Sequence, residues 1–171
     1  MTRTLRLHGR SEKRKRAMKL AWLLGGLMLA SPALAQEPSV DPNAVRACFD
    51  GAKDTHPGCI GEAAAACQDE PGGDTTLGIS ACLQGEAQVW DDIAKAQYKA
   101  ARARLLEQGG TDLANMLLDA QSAWGQYRDA DCGLLYEIWK DGTIRTVVAS
   151  QCYLERTAQR ALELRDLGRM E

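Results

Sequence analysis

Gln121-Ser122-Ala123-Trp124-Gly125-Gln126-Tyr127-Arg128-Asp129-Ala130-Asp131-Cys132 brings a tryptophan, a tyrosine, an arginine and a cysteine into one helical run. On an α-helix, Gln121, Trp124, Arg128 and Cys132 recur at steps of three or four and share a face, while Asp129 points away. An arginine therefore interrupts an otherwise core-like stripe. A buried guanidinium is costly unless acceptors receive its donors, so Arg128 is expected to have a fixed partner, either Asp131 or an acid on a neighbouring helix. The stretch reads first as a structural knot and second as a binding hot spot.

Outward from it, the chain breaks into helices at glycine and proline. Asp41-Pro42 offers a cap and a first turn for a short helix to about Lys53, with Val45, Cys48 and Phe49 inward, before His56-Pro57-Gly58. An alanine-rich helix from Ile60 to Cys67 ends in the acidic, glycine-rich loop Gln68 to Asp74. Asp74 or Thr75 caps a long helix to about Gln108, on which Ile79, Leu83, Glu86, Trp90, Ile93, Gln97, Ala101 and Leu105 form one stripe. Gly109-Gly110 gives a turn short enough to force antiparallel packing of the next helix, which runs to about Trp139. A further turn at Lys140-Asp141-Gly142-Thr143 leads to a last helix from Ile144 to Leu167. The expected fold is all-α, a small antiparallel bundle of long helices stapled by disulfides. Because Glu86 and Arg128 both lie on apolar stripes, they are expected to pair across the two long helices.

Residues 1 to 35 read as a cleaved secretory signal peptide. Lys13-Arg14-Lys15-Arg16 precedes an apolar run from Ala21 to Leu29, and Ala33-Leu34-Ala35 supplies the cleavage site. The apolar run is short for a membrane span, no cysteine follows it for lipidation, and the basic cluster is not a twin-arginine signal. Starting at Met18 would leave only Lys19 ahead of that run, which favours Met1. Gln36 to Pro42 reads as a disordered leader, and the helical domain as residues 43–167.

Of 21 Lys+Arg and 23 Asp+Glu, the first 35 residues hold eight and one, so the remainder carries 13 against 22, a net charge of −9. Such a surface repels nucleic acid and anionic lipid and attracts cationic partners over about 10 Å at 0.1 M salt. All six cysteines lie past the cleavage point, and in an exported chain an even number indicates three disulfides among fifteen possible pairings. Cys132 and Cys152 lie about ten residues either side of Asp141-Gly142, so a hairpin brings them level. The same preference for short closures would join Cys67 to Cys82 and Cys48 to Cys59.

Catalytic chemistry finds little support. His56 is the one histidine past the signal segment and no serine sits in a nucleophile elbow. Asp91-Asp92 and Asp129 with Asp131 diverge on a helix and read as solvated faces. The cysteine and acid spacings fit no zinc ribbon or calcium loop, and Gly72-Gly73 and Gly109-Gly110 lack the lysine of a phosphate cradle. No cofactor is expected.

The pattern Gln121-x-x-Trp124-x-x-Tyr127-Arg128-Asp129-x-x-Cys132, followed by Cys152, Thr157-x-x-Arg160 and Leu164, resembles the signature of the LprI-like lysozyme-inhibitor family of bacterial envelope proteins. Cys82, Glu86, Trp90, Asp91 and Tyr98 are similar to that family's other half. Where the family usually has Leu-Asn, this chain has Ala94-Lys95, so a role needing that asparagine does not carry over. The resemblance implies a periplasmic or secreted, non-enzymatic protein that binds a basic lysozyme. Loops project function from rigid scaffolds, so Asp69, Glu70 and Asp74, between Cys67 and Cys82, are the nominated contacts. The competing reading is an envelope module, structural or chaperone-like, that inhibits nothing. A converging polar pocket at His56 would instead favour an enzyme.

Overall fold

The computed structural model describes residues 38–169, and residues 1–35, expected to be a signal peptide, lie outside them. Four helices follow in order: α1 (Pro42–Gly51), α2 (Glu62–Gln68), α3 (Thr76–Ile138) and α4 (Arg145–Asp166). The Asp41 carboxylate accepts from the Asn43 amide with Pro42 in the first turn, as the Asp-Pro pair predicts, and of the two candidate caps for α3 it is Thr75 whose hydroxyl accepts from Gly78 N. Gly61 holds a left-handed φ of 94°, which delays α2 to Glu62.

The break expected at Gly109-Gly110 divides α3. Gly109 (φ −146°, ψ 18°) and Gly110 (φ 68°, ψ −158°) leave helical geometry, and the chain folds back between a first arm, 76–108, and a second, 111–138. The reversal is evident from packing: Ala101 meets Leu117, and Asp91 comes within 3.9 Å of Arg128. Along α4 the second arm runs antiparallel, with Cys132 bonded to Cys152 and Gln121 to Arg160. The first arm runs alongside in the same direction as α4, from Ser80 beside Ser150 to Arg104 beside Leu167. The result is an up-down-up helical bundle with α1 and α2 packed against the first arm and α4.

Its main core surrounds Trp90, which is fully buried, with Leu83 from the first arm, Val45, Ala63 and Ala64 from the short helices, and Leu154, Ala158, Ala161 and Leu162 from α4. Phe49 meets Trp90 edge-on, centroids 6.2 Å apart. The alanines let backbones approach closely, which suits a chain with a single phenylalanine. A smaller cluster of Ala101, Leu117 and Leu164 fills the other end.

Arginines close the helix ends. Arg104 donates to the carbonyls of Leu164, Arg165 and Leu167 at 2.8–3.2 Å, and Gln108 to that of Gly168, satisfying acceptors that α4 leaves open. Arg165 does the same for α1, donating to Phe49 O and Ala52 O at 3.3 and 2.8 Å.

Disulfides join Cys48–Cys59, Cys67–Cys82 and Cys132–Cys152. Within the segment 36–42 expected to be a disordered leader, the described residues are held in place: the Ser39 amide donates to Glu70 Oε2 at 3.0 Å and Val40 packs on the main core. Burial of Val40 and the cap at Asp41 are what hold this segment. Residues 36–37 lie outside the described span.

Candidate functional site

The Glu86–Arg128 pair expected from the two stripes does not form. Glu86, 1% exposed, instead turns toward α2, where Oε1 accepts from Gly61 N (2.8 Å) and Trp90 Nε1 (3.1 Å) and Oε2 from Ala64 N (2.7 Å). Helix α2 lacks a side-chain cap of its own. A carboxylate from another helix thus satisfies its first amide donors, where the helix dipole favours negative charge.

Arg128 finds other partners. Its side chain is 22% exposed, with the guanidinium carbon 4.9 Å from the Trp124 ring centroid and 5.4 Å from that of Tyr153. Nε and Nη2 bond Asp129 at 3.1 and 3.0 Å, and Nη1 lies 3.5 Å from Thr157 Oγ1 and 3.9 Å from Asp91 Oδ1. Asp129, expected to point away, is reached because the long arginine side chain curls back along its own helix. Asp131 pairs instead with Arg156 on α4, at 3.0 Å, and Arg156 also lies over the Tyr127 ring. Arg160 bonds Gln121 at 2.9 Å and also lies over the Trp124 ring, 5.7 Å from its centroid. The opening stretch and α4 are therefore laced together by three arginines alternating with aromatic rings, anchored at the Cys132–Cys152 bridge.

Beside this lacing lies an open groove of about 530 Å³. Gln84, Gln88 and Asp91 line it from the first arm, Arg128 and Tyr136 from the second, and Ser150 and Tyr153 from α4. Gln84 Nε2 donates to both Ser80 Oγ and Ser150 Oγ at 3.0 Å, and those two hydroxyls bond each other at 2.9 Å. Asp91 is also bonded to Lys95 Nζ at 2.6 Å, which with Asp91 and Asp92 beside it is held above its ordinary pKa by the Asp91 hydrogen bond and charge. Asp91 and Asp131, read from sequence as solvated, are partly turned into the bundle, with 34% and 27% of their side chains exposed.

The nominated loop acids Asp69, Glu70 and Asp74 are exposed on the connection between α2 and α3. That connection is tight. Cys67–Cys82 closes it, Gly73 is buried against Cys67 and Gln68, and Gly78 sits so near the Gly72 carbonyl that a Cβ would collide with it. Glu70 is tied to Ser39. The acids are thus presented on a fixed surface and do not project on a long arm.

Tyr98 packs with Leu105 on the smaller cluster, and Thr157 is buried between Arg128 and the main core. His56 is exposed, with Nδ1 2.9 Å from the neighbouring Thr55 hydroxyl and its amide on Asp54, so its contacts are those of a turn. Asp131 comes 3.9 Å from Cys152 Sγ, but both sulfurs there are consumed by the disulfide and offer no thiolate to a metal. No described helix is long and apolar enough to cross a membrane.

Sequence reasoning missed Gln84, Gln88, Tyr136 and Ser150. The first two, with Asp91, repeat at helical spacing and show one polar face, but only the register of three helices reveals what that face meets.

A sequence model of the family described as "Lysozyme inhibitor LprI" matches residues 67–164, more than half of the chain. No curated protein and no solved structure matched it.

Proposed function

Because the chain belongs to the LprI lysozyme-inhibitor family, we propose that it is an exported, non-enzymatic protein that binds a cationic lysozyme through its acidic surface. The observation that carries this reading is the family match itself, whose span takes in Asp69, Glu70 and Asp74 together with the disulfide that closes their loop. Physical chemistry adds two supports. A net charge of −9 past the signal segment draws a basic protein toward the surface. A pinned loop presents its charges without the entropy loss that ordering a mobile one would impose. Three disulfides fit an oxidising, extracytoplasmic compartment, and residues 1–35 are the proposed export signal.

The test is lysis of a bacterial suspension by a basic lysozyme in the presence of the purified, oxidised protein. Inhibition is expected to fall steeply between low and physiological salt. Replacing the three acids together, D69N/E70Q/D74N, should weaken it roughly three- to tenfold, as expected for exposed charges that mainly govern encounter. Inhibition unchanged by both salt and the triple substitution would remove the acidic loop from the interface.

The structural or chaperone-like reading draws on one observation. Leu134, Ile138, Trp139 and Ile144 are all exposed near the turn between α3 and α4. Suppression of aggregation of an unfolded client, lost in Ile138→Ser/Trp139→Ser and unaccompanied by lysozyme inhibition, would favour that reading instead.

A further inference from the structure

We propose that the groove over Arg128 is a binding site for a neutral, hydroxyl-rich saccharide of one or two rings. The proposal stands apart from the lysozyme reading and draws on three features of the groove.

The first is a donor facing an acceptor across a gap. Arg128 Nη1 and Asp91 Oδ1 are 3.9 Å apart, too far for a direct hydrogen bond. An oxygen placed beside that gap reaches both at normal hydrogen-bond length, provided it accepts from the guanidinium and donates to the carboxylate. A hydroxyl does both through one atom; a carboxylate or an ammonium group does not. Arg128 is already held for this task, with its plane fixed between Trp124 and Tyr153 and two of its nitrogens occupied by Asp129.

Charge is the second feature. Asp91 is compensated by Lys95 at 2.6 Å and by Arg128, while Arg128 is compensated by Asp129. An anion would meet Asp91 and a cation would meet Arg128, so the groove favours an uncharged ligand.

The third is the lining. Both N–H groups of the Gln84 carboxamide are committed to Ser80 and Ser150, which leaves its carbonyl oxygen as a fixed acceptor. Gln88 adds a second carboxamide, and Tyr136 and Tyr153, each with a guanidinium (Arg145 and Arg128) over its ring, add aromatic surface to the lining, of the kind on which the C–H groups of a sugar ring pack. A concave site with apolar walls and a few convergent polar groups, about 530 Å³ in volume, is of small-ligand size.

The test is titration of the ¹⁵N-labelled, oxidised protein with cellobiose and with N,N′-diacetylchitobiose, with gluconate as an anionic counterpart, followed by amide chemical shifts. Saturable shifts confined to groove residues are expected for at least one disaccharide, with a Kd on the order of 0.1–10 mM. The two disaccharides distinguish plain from N-acetylated sugars. Asp91→Asn at a half-buried position and Gln88→Ala at an exposed one should each weaken binding roughly fivefold or more while leaving the remaining spectrum in place. The proposal is overturned if neither disaccharide gives saturable shifts up to about 50 mM, well past that range. It also fails if both variants bind as the parent does, or if gluconate binds more tightly than either disaccharide.

Discussion

Replacing Glu86 with glutamine removes one oxygen from a carboxylate that serves three donors, two of them buried and the Gly61 amide half-buried. Oε1 takes Gly61 N and Trp90 Nε1, and Oε2 takes Ala64 N. A glutamine keeps one acceptor and puts an NH2 group where the other oxygen stood, so one position sets donor against donor. If the retained oxygen faces Gly61 and Trp90, the Ala64 amide loses its partner; the flipped amide would sacrifice two bonds. Charge-assisted bonds contribute about 1.5–3 kcal/mol each, and an unsatisfied buried donor costs about 1–3 kcal/mol. The better rotamer therefore loses roughly 2–4 kcal/mol, a large part of the 5–15 kcal/mol typical of a whole domain. Urea unfolding with the disulfides intact measures the loss, and hydrogen exchange at Ala64 should accelerate ahead of the α4 amides. Combining Glu86→Gln with Arg128→Gln should add the two losses to within about 0.5 kcal/mol, since the two side chains share no partner. A Glu86→Gln loss below about 0.5 kcal/mol would refute the assignment of Glu86 as the cap of α2. So would a coupling above about 1 kcal/mol, which would restore the direct pair with Arg128.

Three further outcomes follow from other parts of the bundle. Gly110→Ala, at φ 68° and ψ −158°, forces a side chain into a region that non-glycine residues avoid and should destabilise by about 1–3 kcal/mol in thermal unfolding, whereas Gly109 has a negative φ and tolerates alanine if the Leu113 side chain shifts. Removing the Cys132–Cys152 bridge as the double serine variant releases a closure spanning 20 residues, which should cost about 3 kcal/mol on the chain-entropy model, read as a lower urea midpoint. The hydrogen bond from Arg165 holds the Asp166 carboxyl below its ordinary pKa, so its contribution is complete above the unfolded value near 3.8 and fades as pH falls through the lower folded one. The Asp166 carboxylate is about half exposed (47%) and so is screened by water, although Arg165 is largely buried, so Asp166→Asn should cost under about 1 kcal/mol at neutral pH and reduce the acid sensitivity of unfolding below about pH 4.

What could be read without coordinates was what local chemistry dictates. Glycine pairs, the Asp-Pro start and helical periodicity located the turns and arms, and short closures matched cysteines in the pairs that the structure joins. The inward position of Glu86 was visible in the stripe. Its partner was not, because the groups it serves are backbone amides of α2, and an amide leaves no mark in a pattern of side chains. Arg128 shows the converse limit. Helical projection assigns a direction to the Cβ, but a side chain with four rotatable bonds carries its charge well away from that direction and so reaches Asp129. The groove was hidden for a third reason: Gln88, Tyr136 and Ser150 lie far apart in the chain and become neighbours only through the register of the bundle.

The clamp of Arg104 and Gln108 on the carbonyls of residues 164–168 bears on the order in which the protein can assemble. Leu154, Ala158, Ala161 and Leu162 supply one whole wall around Trp90, so the preceding segments have no complete interior of their own. A polypeptide that appears from its N-terminus must therefore delay its closure until this final wall arrives. During that wait, its six cysteines are open to oxidation and to mispairing.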